Sequence, residues 1–192
     1  MDAPAPMLDA EFLAMLVKGV SVIVGSADHE LTPSLMRGVG STVSADGRDI
    51  TVFVNRSQSQ QLLQDIAASG RLAAVFSQPS THLTVQFKTR RVRLREATDA
   101  DRPALQRYLR SMEQELSVLG YPAVFARAML AHRLDDLVAI EFQPEQAFNQ
   151  TPGDSSTETF IATAATSSGP SPASPLRSIF TRTSRATGPI RS

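Results

Sequence analysis

Pro33-Ser34-Leu35-Met36-Arg37-Gly38-Val39-Gly40-Ser41-Thr42-Val43-Ser44-Ala45-Asp46-Gly47-Arg48-Asp49-Ile50-Thr51-Val52-Phe53-Val54-Asn55-Arg56-Ser57-Gln58-Ser59-Gln60 is the stretch that sets the architecture. It begins as a strand carrying one arginine. It then turns at residues 44–48, where Asp46-Gly47 supplies the positive φ that a tight hairpin needs, and returns as a strand over residues 49–54. The polar run Asn55-Arg56-Ser57-Gln58-Ser59-Gln60 opens a helix that ends at Ser69-Gly70. A strand-to-helix junction of this kind leaves backbone N–H groups free to meet an anion. Arg37 joins that site if its strand neighbours the returning one. The arrangement suits a phosphate.

The flanking segments extend the same pattern. Leu8, Phe12, Met15 and Leu16 fall at helical spacing, with Gly19 placed to stop the helix, and the β-branched run Val20-Ser21-Val22-Ile23-Val24 reads as a strand. After the central helix, residues 71–77 read as a buried strand that stops before Pro79. Residues 81–96 alternate as one long strand with a bend near Thr89, Leu83, Val85 and Phe87 pointing one way and Thr84, Gln86 and Lys88 the other. Leu105, Tyr108, Leu109, Met112, Leu116 and Leu119 form a helical stripe behind a capping pair, Thr98 and Asp101. A further helix is expected over residues 123–133, and a last strand over 136–142. About six strands and four helices follow from these patterns. Short strands, tight turns and inserted helices argue for an α+β fold, a mostly antiparallel barrel with peripheral helices.

Composition sets the outer limits. The 192 residues hold 19 basic and 19 acidic side chains, so no global field draws the chain onto nucleic acid or anionic lipid, and any anion must be gripped locally. Cysteine is absent, which removes disulfide and thiolate chemistry and fits a reducing cytoplasm. No apolar run approaches the length of a membrane span, and residues 1–6 do not read as a signal peptide. His29, His82 and His132 are scattered, with no spacing that favours a metal. Beyond residue 150 the composition shifts to Ser, Thr, Pro, Gly and Ala, so the expectation is one domain over residues 1–150 and a disordered tail over 151–192. Four arginines make that tail locally basic, yet they are too widely spaced for a dense interaction arm.

The order of segments carries a likeness. Helix, strand, the P-x-x-x-R strand, the Asp-Gly hairpin, the Ser/Gln-rich helix start, Gly70-Arg71-Leu72-Ala73-Ala74-Val75-Phe76-Ser77 and Pro79-Ser80-Thr81-His82-Leu83-Thr84-Val85-Gln86-Phe87-Lys88 together resemble the pyridoxamine 5'-phosphate oxidase-like family of FMN-binding split barrels. The likeness covers roughly residues 8–153. It implies FMN as cofactor, a homodimer with the flavin at its interface, and a flavin-dependent oxidoreductase acting on a small molecule. Carried over residue by residue, it places Arg37 along the ribityl phosphate and Phe53 and Val54 beside the isoalloxazine edge. Gln58, Ser59 and Gln60 fall where the family has its Ser-Arg-Lys phosphate grip. Arg56, Ser57 and Gln86 complete the implied cofactor site.

Three departures accompany the likeness. Two cations of that grip are replaced by neutral groups, which leaves the phosphate to Arg37, Arg56, the Ser59 hydroxyl and helix N–H groups. Thr89-Arg90 stands where relatives carry a glycine. No tryptophan occurs anywhere, and the C-terminal part that holds pyridoxal phosphate in the founding enzyme has no counterpart, which argues against pyridoxamine phosphate oxidation itself. The alternative is a split barrel without flavin chemistry that binds another anion or a protein. A weaker third reading gives the cations of residues 90–95 to single-stranded nucleic acid, but Phe53, Phe76 and Phe87 follow core patterns and offer no stacking platform. Alternating cations on a strand more commonly protect an edge or exposed face.

Overall fold

The computed structural model describes residues 8–153 and the backbone of residues 159–161. Helix α1 (Ala10–Lys18) buries Phe12, Met15 and Leu16 and stops at Gly19, whose φ of 88° suits a residue without a Cβ. The β-branched run that follows becomes β1 (Ser21–Ala27). The opening stretch then divides into β2 (Pro33–Arg37) and β3 (Gly40–Val43), which belong to different sheets. The switch falls between Gly38 and Val39. The Gly38 N–H donates to Val22 O at 2.9 Å, whereas the Val39 N–H donates to Phe53 O at 2.8 Å. Space makes glycine necessary there, because a Cβ on Gly38 would lie 2.6 Å from Val22 Cγ1 and 2.7 Å from Val52 Cγ1.

The chain continues through β4 (Ile50–Asn55), a 3-10 turn (Arg56–Gln58), α2 (Gln60–Ser69), β5 (Leu72–Ser77), β6 (Thr84–Thr89) and β7 (Val92–Glu96). Helices α3 (Arg102–Val118) and α4 (Ala123–Met129) precede β8 (Leu137–Phe142), β9 (Gln146–Asn149) and β10 (Thr159–Ile161). One sheet has the order β10-β9-β6-β5-β1-β2 and the other β3-β4-β8-β7, and every pairing is antiparallel. The chain crosses between the sheets at β2–β3, through α2 between β4 and β5, at β6–β7 and at β8–β9. These crossings join the two sheets into a split barrel, the α+β architecture that the sequence patterns predict.

The interior of the barrel collects Val22, Val24, Val52, Phe76, Phe87 and Ile140, closed by Phe12 of α1, Leu62 and Ile66 of α2, and Tyr108 and Met112 of α3. Phe76 and Phe87 meet edge to face, with centroids 5.8 Å apart at 70°. A smaller cluster of Val39, Phe53, Leu105, Leu137 and Ala139 fills the space between the four-stranded sheet and the start of α3. Thr98 and Asp101 form the expected capping box. On the edge strand β7, Arg93 and Arg95 are held by Glu141, and Arg95 also by Asp101, so these cations protect an exposed face.

The structure corrects several expectations. Ten strands occur among the described residues, because residues 32–40 and 81–96 each divide where they cross between sheets and because two strands follow Pro144. The helix expected over 123–133 ends at Met129, where the Leu130 N–H closes on Ala126 O and Ala131 O turns to accept the Asn55 amide at 3.3 Å. Helix α2 begins at Gln60, with residues 56–58 forming a separate 3-10 turn. In the segment expected as a tail, Thr159 to Ile161 pair with β9, Thr159 lying opposite Phe148. Residues 162–192, including Arg177, Arg182, Arg185 and Arg191, lie outside the described residues, as do residues 1–7.

Candidate functional site

One end of the barrel gathers most of the expected site. There β4 ends at Asn55, opposite Leu137 at the start of β8, and β7 ends at Glu96, opposite Val138. Strand β2 gives way to β3 at the same end, so Arg37 belongs to this rim too. The exposed Arg37 guanidinium donates to Ser21 Oγ at 3.2 Å. Its pairing with Ile23 turns it to the outer face of the six-stranded sheet, together with Leu35. Helix α2 covers the opposite face, where Ser34 Oγ donates to Asp65 Oδ2 at 2.5 Å. From the sequence, Arg37 joins the helix start only if its strand neighbours the returning one. The structure gives β2 to β1 and β3 to β4, because the chain leaves one sheet for the other at Gly38.

The junction over residues 55–59 is already engaged by two carboxylates. Arg56 pairs with Glu96, both exposed. The Ser57 N–H and hydroxyl donate to Asp136 at 3.0 and 2.6 Å. Gln58 and Gln60 point to solvent, whereas Ser59 is only 2% exposed. Its Oγ and Asn55 Oδ1 are buried without a hydrogen-bond partner among the described residues. Ser59 stands at the N-cap position of α2 without using its side chain as a cap, so the first-turn N–H groups of α2 have no side-chain acceptor there. Neither Glu96 nor Asp136 stands out in the sequence. Glu96 ends a strand and Asp136 precedes one, as polar residues commonly do, and only the pairing of β7 with β8 and of β8 with β4 brings them to the junction.

The remaining expected site residues separate. Phe53 and Val54 are core side chains, 1% and 0% exposed, on a strand paired along both edges. Gln86, 5% exposed, lies on β6 between Val75 and Phe148. It shares the outer sheet face with Arg37 through the row Arg37, Ile23, Val75, Gln86, which at about 4.8 Å per strand puts them about 14 Å apart. On that face Lys88 lies 4.9 Å above the Phe148 ring, and burial lowers its pKa from the ordinary value. Beneath the rim, burial pushes the Tyr108 hydroxyl well above the ordinary phenol range, with the Arg37 charge and the Val22 backbone partly offsetting it. Among the described residues no three His, Asp or Glu side chains cluster as metal ligands. No helix among them is long and apolar enough to cross a membrane.

No family model matches the sequence, and no curated protein does. Solved structures are similar in outline. One is a Clostridium acetobutylicum protein related to general stress protein 26 of B. subtilis, of the pyridoxinephosphate oxidase family, at 13% identity over 81% of this chain and 97% of that one, with a TM-score of 0.49. HupZ of Group A Streptococcus is 13% identical over 76% and 97%, with a TM-score of 0.47. A pyridoxamine 5'-phosphate oxidase-related, FMN-binding protein from Nostoc punctiforme is 15% identical over 71% and 76%, with a TM-score of 0.41. The class defined by the strand order is an antiparallel α+β split barrel. The chain is similar to proteins described as pyridoxamine 5'-phosphate oxidase-related.

Proposed function

We propose that this split barrel binds a flavin mononucleotide at the rim and works as a homodimeric flavin-dependent oxidoreductase on a small molecule. The observation that carries the reading is Arg37, an exposed cation at the barrel mouth whose hydrogen-bond partner is a neutral serine hydroxyl, leaving its charge available to an anion. Arg37 fits a phosphate, each charge-assisted bond contributing about 1.5–3 kcal/mol. The junction over residues 55–59, elsewhere on the same rim, offers a second set of donors in the first-turn N–H groups of α2. Gln86 is about 14 Å from Arg37 within one chain, so a second copy bringing its own Gln86 to the rim suits a ligand shared between protomers. Ile23 and Leu35, 41% and 53% exposed on the same face as Arg37, offer such a copy apolar area. When bound, the flavin supplies the electron transfer, and the protein contributes position and electrostatics. The lack of cysteine supports a cytoplasmic setting.

The second reading, a binding module without flavin, is favoured by the carboxylates at Arg56 and Ser57. A titration of the purified chain with FMN, followed by flavin fluorescence beside Arg37→Ala, separates the two. Saturable binding that weakens at least about tenfold in the variant, a loss of about 1.4 kcal/mol, supports the flavin reading. A parent protein that ignores FMN moves the assignment to the flavin-free module.

A further inference from the structure

We propose that Glu96 and Asp136 are built-in competitors for a ligand's phosphate at the junction over residues 55–59, and so set how strongly the chain prefers a phosphorylated ligand to its unphosphorylated counterpart. The junction has the donors an anion needs: the Arg56 guanidinium, the Ser57 N–H and hydroxyl, and the first-turn N–H groups of the ten-residue helix α2. The Ser59 Oγ at the N-cap of that helix is buried and without a partner among the described residues. An unsatisfied hydroxyl in such a place is costly unless a ligand or water meets it. The protein itself fills the rest of the donor set with anions. Glu96 takes Arg56 at the end of β7, and Asp136 takes both donors of Ser57 from the turn before β8.

A phosphate arriving at this rim has to displace those carboxylates or share the junction with two negative charges. Both pairs are suited to displacement. Arg56 and Glu96 are 44% and 70% exposed in their side chains, where an ion pair is weak. Asp136 is only partly buried, so it can return to water. A neutral ligand, such as a flavin without its phosphate, meets no such competition. The carboxylates therefore lower affinity for the phosphorylated form selectively.

This inference rests on the rim as the ligand site, and its test uses inorganic phosphate alongside flavin so that the two can fail separately. The parent chain, Glu96→Gln and Asp136→Ala are titrated with inorganic phosphate while the amide resonances of residues 57–61 are followed by NMR. FMN and riboflavin are then titrated by fluorescence. The expected result is tighter phosphate binding, by about fivefold for Glu96→Gln and about tenfold for Asp136→Ala. The ratio of FMN to riboflavin affinity should rise by similar factors while riboflavin affinity stays within about twofold of the parent. Glu96→Gln alters an exposed side chain and keeps the measurement valid if Asp136→Ala does not fold. Phosphate affinity at these amides that is absent, unchanged or reduced in the folded variants overturns the proposal. Tighter phosphate binding with no flavin binding by any form upholds the proposal and refutes the flavin reading.

Discussion

Truncating Glu115 should destabilise the chain by about 3 kcal/mol. Its side chain on α3 is 2% exposed and is met by four donors: Lys18 Nζ from α1, Gln78 Nε2 at 2.9 Å, the Ser80 N–H at 3.1 Å and Ser80 Oγ at 2.6 Å. Lys18 is 43% exposed, so its ammonium returns to water when the carboxylate is lost and contributes little. The losses that count are the three bonds from Ser80 and Gln78, about 1 kcal/mol each because both residues are partly exposed and their freed donors return to water. Glu115→Ala should lower the stability measured by urea unfolding by that sum and the midpoint of thermal unfolding by about 6–12 °C. Glu115→Gln keeps an acceptor and should lose about half as much.

The pH dependence follows from the same carboxylate. Burial pushes the Glu115 pKa up, and the hydrogen bonds from Lys18, Ser80 and Gln78 outweigh it, leaving the pKa below its ordinary value. A depressed carboxylate contributes stability that is present above the unfolded pKa of about 4.3 and is lost as pH falls through the folded value. The difference between parent and Glu115→Gln should therefore shrink on acidification. A Glu115→Ala loss under about 1 kcal/mol, or a gap between parent and Gln that widens below pH 4, would refute the reasoning.

Two further predictions concern the barrel. Gly38→Ala forces a methyl against Val22 and Val52 at the sheet crossing and should cost about 1–3 kcal/mol in urea unfolding, a loss that Val52→Ala in the same chain partly relieves. Arg95→Gln removes the cation shared by Asp101 and Glu141, whose pKa values are lowered chiefly by their hydrogen bonds from Arg95. Both carboxylates contribute stability above about pH 4 that disappears as they protonate, so the variant should show a shallower acid-side fall in stability than the parent, and equal slopes would contradict the pairing.

Local signals in the sequence account for much of the architecture. Gly19 and Gly70 end helices at φ of 88° and 66°, Gly47 turns the hairpin at φ 73°, and Thr98 with Asp101 caps the start of the α3 region, all within a few residues of the signal. The alternation over residues 81–96 fixes which side chains of β6 face the core, and the bend near Thr89 is where the chain changes sheets. Residue type and spacing suffice for these features because each depends on neighbours along the chain.

The site depends on neighbours across it. Whether Arg37 meets the start of α2 depends on which strand β2 pairs with, and the packing of Gly38 between Val22 and Val52 gives β2 to β1. Phe53 reads as any alternating strand residue until Leu105 of α3 closes over it. The carboxylates on Arg56 and Ser57 lie 40 and 79 residues away along the chain. Charge and polarity could nominate the junction as an anion site, but only the pairing of β8 with β4 and of β7 with β8 decided that the protein's own Glu96 and Asp136 occupy it.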